Sequence, residues 1–194
     1  MSTVDKDAWE AWQQARLAAL TAATGNLALL ETDGVRHWDS NSPALQHFVG
    51  TNPYPYDPAW VVPARFVPEG DEHRVAFEHR RDGGATRDLP VPGHIDVTIG
   101  GLPYRVHAFD DEGTLLLVFG DQTNRSQTYG GGRFLVVDWP TDGQVVLDFN
   151  HAYTPPCGFS AAYNCPLPPP ENRFPFPIEA GERLPVFRDG FELH

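Results

Sequence analysis

Apolar and polar positions divide the chain into one helical segment, a long run of short strands and a tail that fits neither pattern. In residues 5–23, Trp9, Trp12, Leu17 and Leu20 recur near helical spacing, with Ala8, Ala15 and Ala19 beside them. Asp5 or Asp7 caps the start, and Thr24-Gly25-Asn26 ends it with Gly25 as a left-handed cap. This predicts a helix whose apolar stripe docks on a sheet. From residue 27 to 150 the period falls to two. Leu27–Leu30 and Val35–Trp38 flank Thr32-Asp-Gly34, a hairpin signal. Further strands are predicted at 60–67, 74–79, 95–99, 104–109, 114–120, 134–139 and 144–149, with turns at Gly100-Gly101, Asp110–Gly113 and Pro140–Gly143. The X-Pro steps make 48–58 irregular, and glycines, prolines and charges make 80–94 a loop.

At least seven strands at hairpin spacing define a mainly β fold, an antiparallel barrel or sandwich, and argue against βαβ units. Residues 151–194 are different. Thr154-Pro-Pro-Cys157 and Cys165-Pro-Leu-Pro-Pro-Pro170 exclude helix and central strand. The apolar residues among them, Tyr153, Phe159, Tyr163 and Phe174, favour an ordered strap that wraps the sheet and covers an open edge. No linker or repeat divides residues 1–194, so one domain is expected: helix, β core and strap.

Composition narrows the partners. A formal net charge of -12 over 194 residues repels phosphate backbones and anionic lipid, so neither nucleic acid nor membrane is expected. No run of about 20 apolar residues spans a bilayer. The N-terminal residues show no basic patch followed by an apolar run, which predicts a cytoplasmic protein, monomer or homodimer. Pro and Gly, 19 and 18 residues, argue for many turns and few helices.

The chemistry is less marked. No nucleophile elbow, HExxH, P-loop or dinucleotide fingerprint is present, and no cofactor is expected. Gly130-Gly131-Gly132 has no following Lys-Ser/Thr, so it marks a bulge, a close backbone approach or a ligand lying on bare backbone. Cys157 and Cys165 read as buried thiols, with a disulfide permitted by spacing. His151 with both cysteines makes three weak metal-ligand candidates, so no metal site is predicted; His151 is also the nearest base to a Cys157 nucleophile. Histidines 37, 47, 73, 79, 94, 107 and 194 read as scattered surface or core residues.

In Val145–Asn150, alternation places Asp148 and Asn150 on one face of a strand that reads as buried on both sides. Arg133 is positioned to reach Asp148 across the hairpin, and Glu171-Asn172-Arg173 to fold back beside them. One reading is a polar network that pins the strap. The other is a small-molecule pocket lined by Tyr129, Arg133, Asp148, Asn150, Tyr153, Glu171, Asn172 and Arg173. An enzymatic alternative uses Asp148 or Glu171 as general base and Arg133 as anion stabiliser, in a hydrolase or isomerase. A structural or partner-binding role with the strap as docking surface is the third.

The strings Thr128–Phe134 (TYGGGRF), Val146–Cys157 (VLDFNHAYTPPC), Cys165–Arg173 (CPLPPPENR) and Ile178–Glu182 (IEAGE) resemble the hallmark of the bacterial and archaeal domain of unknown function family 1684. Fainter matches cover Asp57–Trp60, Ala64–Pro68 and Phe119–Thr123. The resemblance departs at Thr154, where the family usually has Asn, and at Gly158, where it usually has a larger residue. It implies membership and no established activity.

Overall fold

The computed structural model describes residues 3–70 and 72–193. The first helix, α1, runs Thr3–Thr21, so Asp5 and Asp7 lie inside it and its N-cap falls outside the described residues. Its inner stripe is Trp9, Gln13 and Leu20. Gly25 follows with φ -76°, an ordinary extended conformation rather than a left-handed cap. Its lack of a side chain matters for packing: a Cβ there would sit 2.4 Å from the Ala19 carbonyl oxygen. No described helix is long and apolar enough to cross a membrane.

The strands are β1 (Leu29–Thr32), β2 (Val35–Trp38), β3 (Phe48–Gly50), β4 (Val61–Pro68), β5 (Arg74–Glu78), β6 (Thr86–Pro90), β7 (Gly93–Ile99), β8 (Leu102–Asp111), β9 (Thr114–Phe119), β10 (Arg133–Asp138), β11 (Gln144–Asp148) and β12 (Val186–Phe187). A short helix, α2 (Pro43–His47), precedes β3, capped by the Ser42 hydroxyl, which accepts from Leu45 N–H. Six strands form one antiparallel sheet in the order β10-β9-β8-β7-β4-β11. This is a meander whose last strand returns to pair with its first, with the β5–β6 hairpin inserted between β4 and β7. Residues 80–94 are therefore not all loop. Thr86–Pro90 is weakly strand-forming, and it is extended because β5 provides a ladder.

The sheet curls into a nearly closed barrel. Alternate side chains of each strand fill it, among them Val62, Phe66, Ile95, Val106, Leu115, Leu117, Leu135 and Leu147. β9 is also buried on its outer face, where Leu116 and Val118 pack with Phe77 and Val91 under the β5–β6 hairpin and with the strap cysteines. β11, in contrast, is buried on one face only. Val146 is 52% exposed, because no element covers the outside of this strand at that point.

β10 and β11 approach each other but share no ladder. The strap closes this seam. After a 3-10 turn at Phe149–His151, the backbone of Tyr153 exchanges two 2.9 Å hydrogen bonds with Phe134 at the start of β10. Further on, Gly120 N–H donates to Asn172 and Phe174 N–H donates to Gly120. The strap ends as β12 against β3.

A buried ion pair fixes the strap. Arg133 and Asp121 are both fully buried and lie 2.7 Å apart. The guanidinium also donates to the carbonyls of Ile178 and Ala180, while Asp121 accepts from Thr123 and from Ile178 N–H. Gly132 (φ +88°) permits this corner: a Cβ there would meet the Phe119 carbonyl oxygen and Pro168 at 2.5 Å. The glycine triplet thus marks a close backbone approach.

Arg133→Met is expected to lower stability by about 3–5 kcal/mol in urea unfolding, since it strands a buried carboxylate. Adding Asp121→Leu is expected to leave most of the loss, because the carbonyls of Ile178 and Ala180 remain without donors. A double variant restored to wild-type stability would show that the strap carbonyls do not need Arg133.

Candidate functional site

The structure does not gather the predicted site residues into one pocket. Arg133 pairs with Asp121 rather than Asp148; its ladder partner is Phe119, and Asp148 lies opposite Val61 on β4. With no exposed surface, Arg133 is unable to meet an incoming anion. Asn172 is fully buried on the opposite flank, receiving His107 N–H and donating to the carbonyls of His107 and Val118. Glu171 is exposed beside it, and Arg173 folds onto the Pro168 carbonyl. Tyr129 lies under the strap, where its hydroxyl donates to the Cys157 carbonyl.

Asp148, Asn150 and Tyr153 do remain together, and His151 joins them. The four follow from the end of β11 through its 3-10 turn. Asn150 acts as a clamp: its side chain donates to Asp148 and Asp57 and accepts from Asp57 N–H, and its carbonyl accepts from Trp9 Nε1. This leaves the Asp148 carboxylate with one oxygen toward Asn150 and the other 2.9 Å from His151 Nδ1. Burial pushes the Asp148 carboxyl up, but the hydrogen bonds from His151 and Asn150 outweigh it and hold the group below its usual value. Burial pushes the Tyr153 phenol up to about 12, so it stays protonated.

Asp148, His151 and Tyr153 line a groove of about 430 Å³ between α1 and the barrel seam, with Trp12, Val136, Asp138 and Val146 as the other walls. The Trp12 indole meets the His151 ring edge-on at 5.0 Å. Arg16, one turn further along α1, covers the Tyr153 ring and bonds the buried Glu182 and the Thr154 carbonyl, which holds the helix in place. With Nδ1 held by Asp148, the other imidazole nitrogen of His151 is the one available to a ligand. Sequence periodicity assigned Trp12 to the packed helix face. That it borders a groove depends on where α1 lands, which no local signal carries.

Beside the β1–β2 hairpin lies a larger cavity of about 750 Å³, lined by Leu29, Ala44, Phe159 and Leu193 among others. The Arg81 and Glu31 side chains on its rim satisfy each other in a bidentate pair.

Among the described residues, His151, Cys157 and Cys165 do not bring three donor atoms within 4.8 Å of one another. Cys157 and Cys165 are free, buried thiols, with Cys157 N–H donating to the Cys165 sulfur. The hydrogen bond from Cys165 brings the Cys157 thiol down to about 7 against the push of burial. Three of the histidines read as scattered do cluster: Glu69, His73 and His107 bring their donor atoms within 4.8 Å of one another, with His94 beside Glu69. His194 lies outside the described residues.

The two departures from the hallmark strings touch. A Cβ on Gly158 would lie 2.4 Å from the Thr154 methyl, so the branched residue at 154 occupies the room that a larger residue at 158 would need.

A six-stranded antiparallel barrel, closed by a pinned strap and flanked by a helix, is thus the class of fold. The chain belongs to the DUF1684 family, described as proteins of unknown function, whose model matches residues 46–183. The fold is similar to the NMR structure of an uncharacterised protein from Haloarcula marismortui. That match has 25% identity and a TM-score of 0.64, covering 94% of this chain and 97% of the other. No curated protein matches the chain.

Two outcomes test this geometry. The stability difference between wild type and Asp148→Asn is expected to be flat above the ordinary carboxylate range and to shrink as pH falls below that range, through the depressed folded-state value, where the wild-type carboxylate also becomes protonated. A gap that widens in acid would contradict the depressed Asp148. Both thiols, being buried, are expected to react with a disulfide reagent on the order of 100-fold more slowly in the folded protein than in urea. Equal rates in the two states would place a thiol at the surface.

Proposed function

We propose that the chain binds a small organic molecule in the groove formed by Trp12, Val136, Val146, Asp148, His151 and Tyr153. The observation that carries this reading is the Asp148–His151 pair, partly exposed at the floor of a groove walled by the apolar side chains of Trp12, Val136 and Val146 and by Asp138. Such a pair is held in one orientation by Asn150, so it is pre-organised for a hydrogen-bonding ligand. Asp138 and Asp148 give the groove negative charge, and Trp12 offers an aromatic face. A ligand with an apolar or aromatic body and a basic nitrogen fits both features. The acidic chain and its pair of reduced cysteines are consistent with a cytoplasmic setting.

The same pair favours a second reading as an enzyme. Asp148 is poorly suited to be the base, since it is hydrogen-bonded and depressed. His151, oriented through Nδ1 by that carboxylate, has the arrangement of a general base in a dyad. Glu171 and Arg133 take no part in this version.

The test is saturation-transfer NMR of the purified protein against matched aromatic amines and aromatic carboxylates. Amines are expected to bind selectively, and Trp12→Ala and His151→Ala to weaken them by about 1–3 kcal/mol each while the fold is retained. If carboxylates bound as well as amines, or both variants bound like wild type, the groove would not be the site. For the enzymatic reading, a hydrolase and isomerase substrate screen in which His151→Ala matches wild type on every substrate turned over would remove the dyad.

A further inference from the structure

On the opposite flank of the barrel, a carboxylate and three imidazoles meet at the outer face of β7 and β8. His94 and His107 are direct cross-strand partners. Their neighbours Ile95, Val106 and Ala108 fill the barrel, so the two histidines point outward. The connection from β4 to β5 folds over them and brings Glu69 and His73. One Glu69 oxygen lies 2.7 Å from His94 Nδ1 and the other 3.0 Å from His73 Nε2. The His73 and His107 rings stack with centroids 6.1 Å apart. The donor atoms of Glu69, His73 and His107 all fall within 4.8 Å of one another.

Hydrogen bonding within the cluster leaves it incomplete. His107 Nδ1 is buried and has no hydrogen-bond partner. Glu69 has only two oxygens to offer, and both already face His94 and His73. Two imidazole nitrogens and a carboxylate oxygen are the donor set that zinc takes in open sites, with a water completing the coordination. The His73 and Glu69 side chains are 34% and 27% exposed, which gives an ion a way in. The strap supports the position: Asn172 grips both backbone polar groups of His107. This gives Asn172 of the hallmark strings a role at this flank.

We propose that Glu69, His73 and His107 form a Zn²⁺ site, with His94 orienting the Glu69 carboxylate. Binding draws the donors from their present spread to roughly 2.0–2.2 Å from one ion. Glu69 and His73 sit on a connection between strands and are able to close that distance, whereas His107 is fixed in the ladder. His94 is a positioning residue: its hydrogen bond to one oxygen presents the other to the metal. The site is separate from the groove, and the two readings stand or fall apart.

Isothermal titration of the chelator-treated full chain with Zn²⁺ tests it, with Co²⁺ absorption as the spectroscopic readout of imidazole coordination. Wild type is expected to bind one Zn²⁺ with micromolar or tighter affinity and to leave Mg²⁺, which prefers oxygen ligands, unbound. His73→Ala and His107→Ala are expected to weaken Zn²⁺ by more than about 100-fold, and His94→Ala by about 10–100-fold, with His94→Gln recovering much of that loss. His37→Ala, at an exposed histidine on β2, is expected to change nothing. His73 lies on a surface connection, so an unchanged metal-free melting temperature for His73→Ala separates lost binding from lost folding. No zinc binding by wild type, or binding that survives His73→Ala undiminished, would overturn the proposal.

Discussion

The Arg133–Asp121 pair is the interaction on which the rest of the structure depends. A strap rich in proline has few N–H groups and makes little ladder, so its own backbone cannot hold it to the barrel. Its carbonyls nevertheless lie in the interior and need donors. One guanidinium supplies them at Ile178 and Ala180, and Asp121 balances its charge. Removing two charges from water is costly, and such a pair contributes little net stability compared with apolar packing. What it provides is a single path for a segment that could otherwise lie in many ways.

The same logic runs through the hallmark strings. Arg133, Asn150, Asn172 and Glu182 are all buried, and each is bonded largely to backbone groups of segments far away in sequence. Asn150 ties the β11 end to Asp57, Asn172 ties the strap to β8 and β9, and Glu182 ties it to α1 through Arg16. Arg133, Asn150 and Asn172 are residues a ligand-centred reading picks out, because they are polar and lie in a dense string. Their position shows them to be fasteners.

Fastening has consequences for the surface. Because Asn150 fixes the 3-10 turn after β11, Asp148 and His151 are presented together at the seam where β10 and β11 fail to pair. Because Asn172 fixes β8 at His107, that imidazole is held in the ladder opposite Glu69 and His73. One irregular strap therefore organises two chemically different places on opposite flanks of one barrel.

The sequence by itself determined the helix, most of the strands and the existence of an ordered strap. Those depend on local quantities: side-chain periodicity, turn residues, and the proline ring's exclusion from helix and ladder. It missed β6, whose composition is poor for a strand and which exists because β5 lies beside it, and β3, which opens the stretch 48–58 read as irregular and is extended because β12 pairs with it. It also took β11 as buried on both sides, whereas Val146 faces solvent, since apolar residues on alternate positions do not reveal whether anything packs against them. Of the candidate site, Asp148, Asn150 and Tyr153 were legible because they are neighbours in the chain. Trp12 and the Glu69–His73–His107 cluster were not, since they come from elements tens of residues apart. Which polar residues are fastened and which are left facing water is set by how the strap crosses the barrel, and only the tertiary structure decides that.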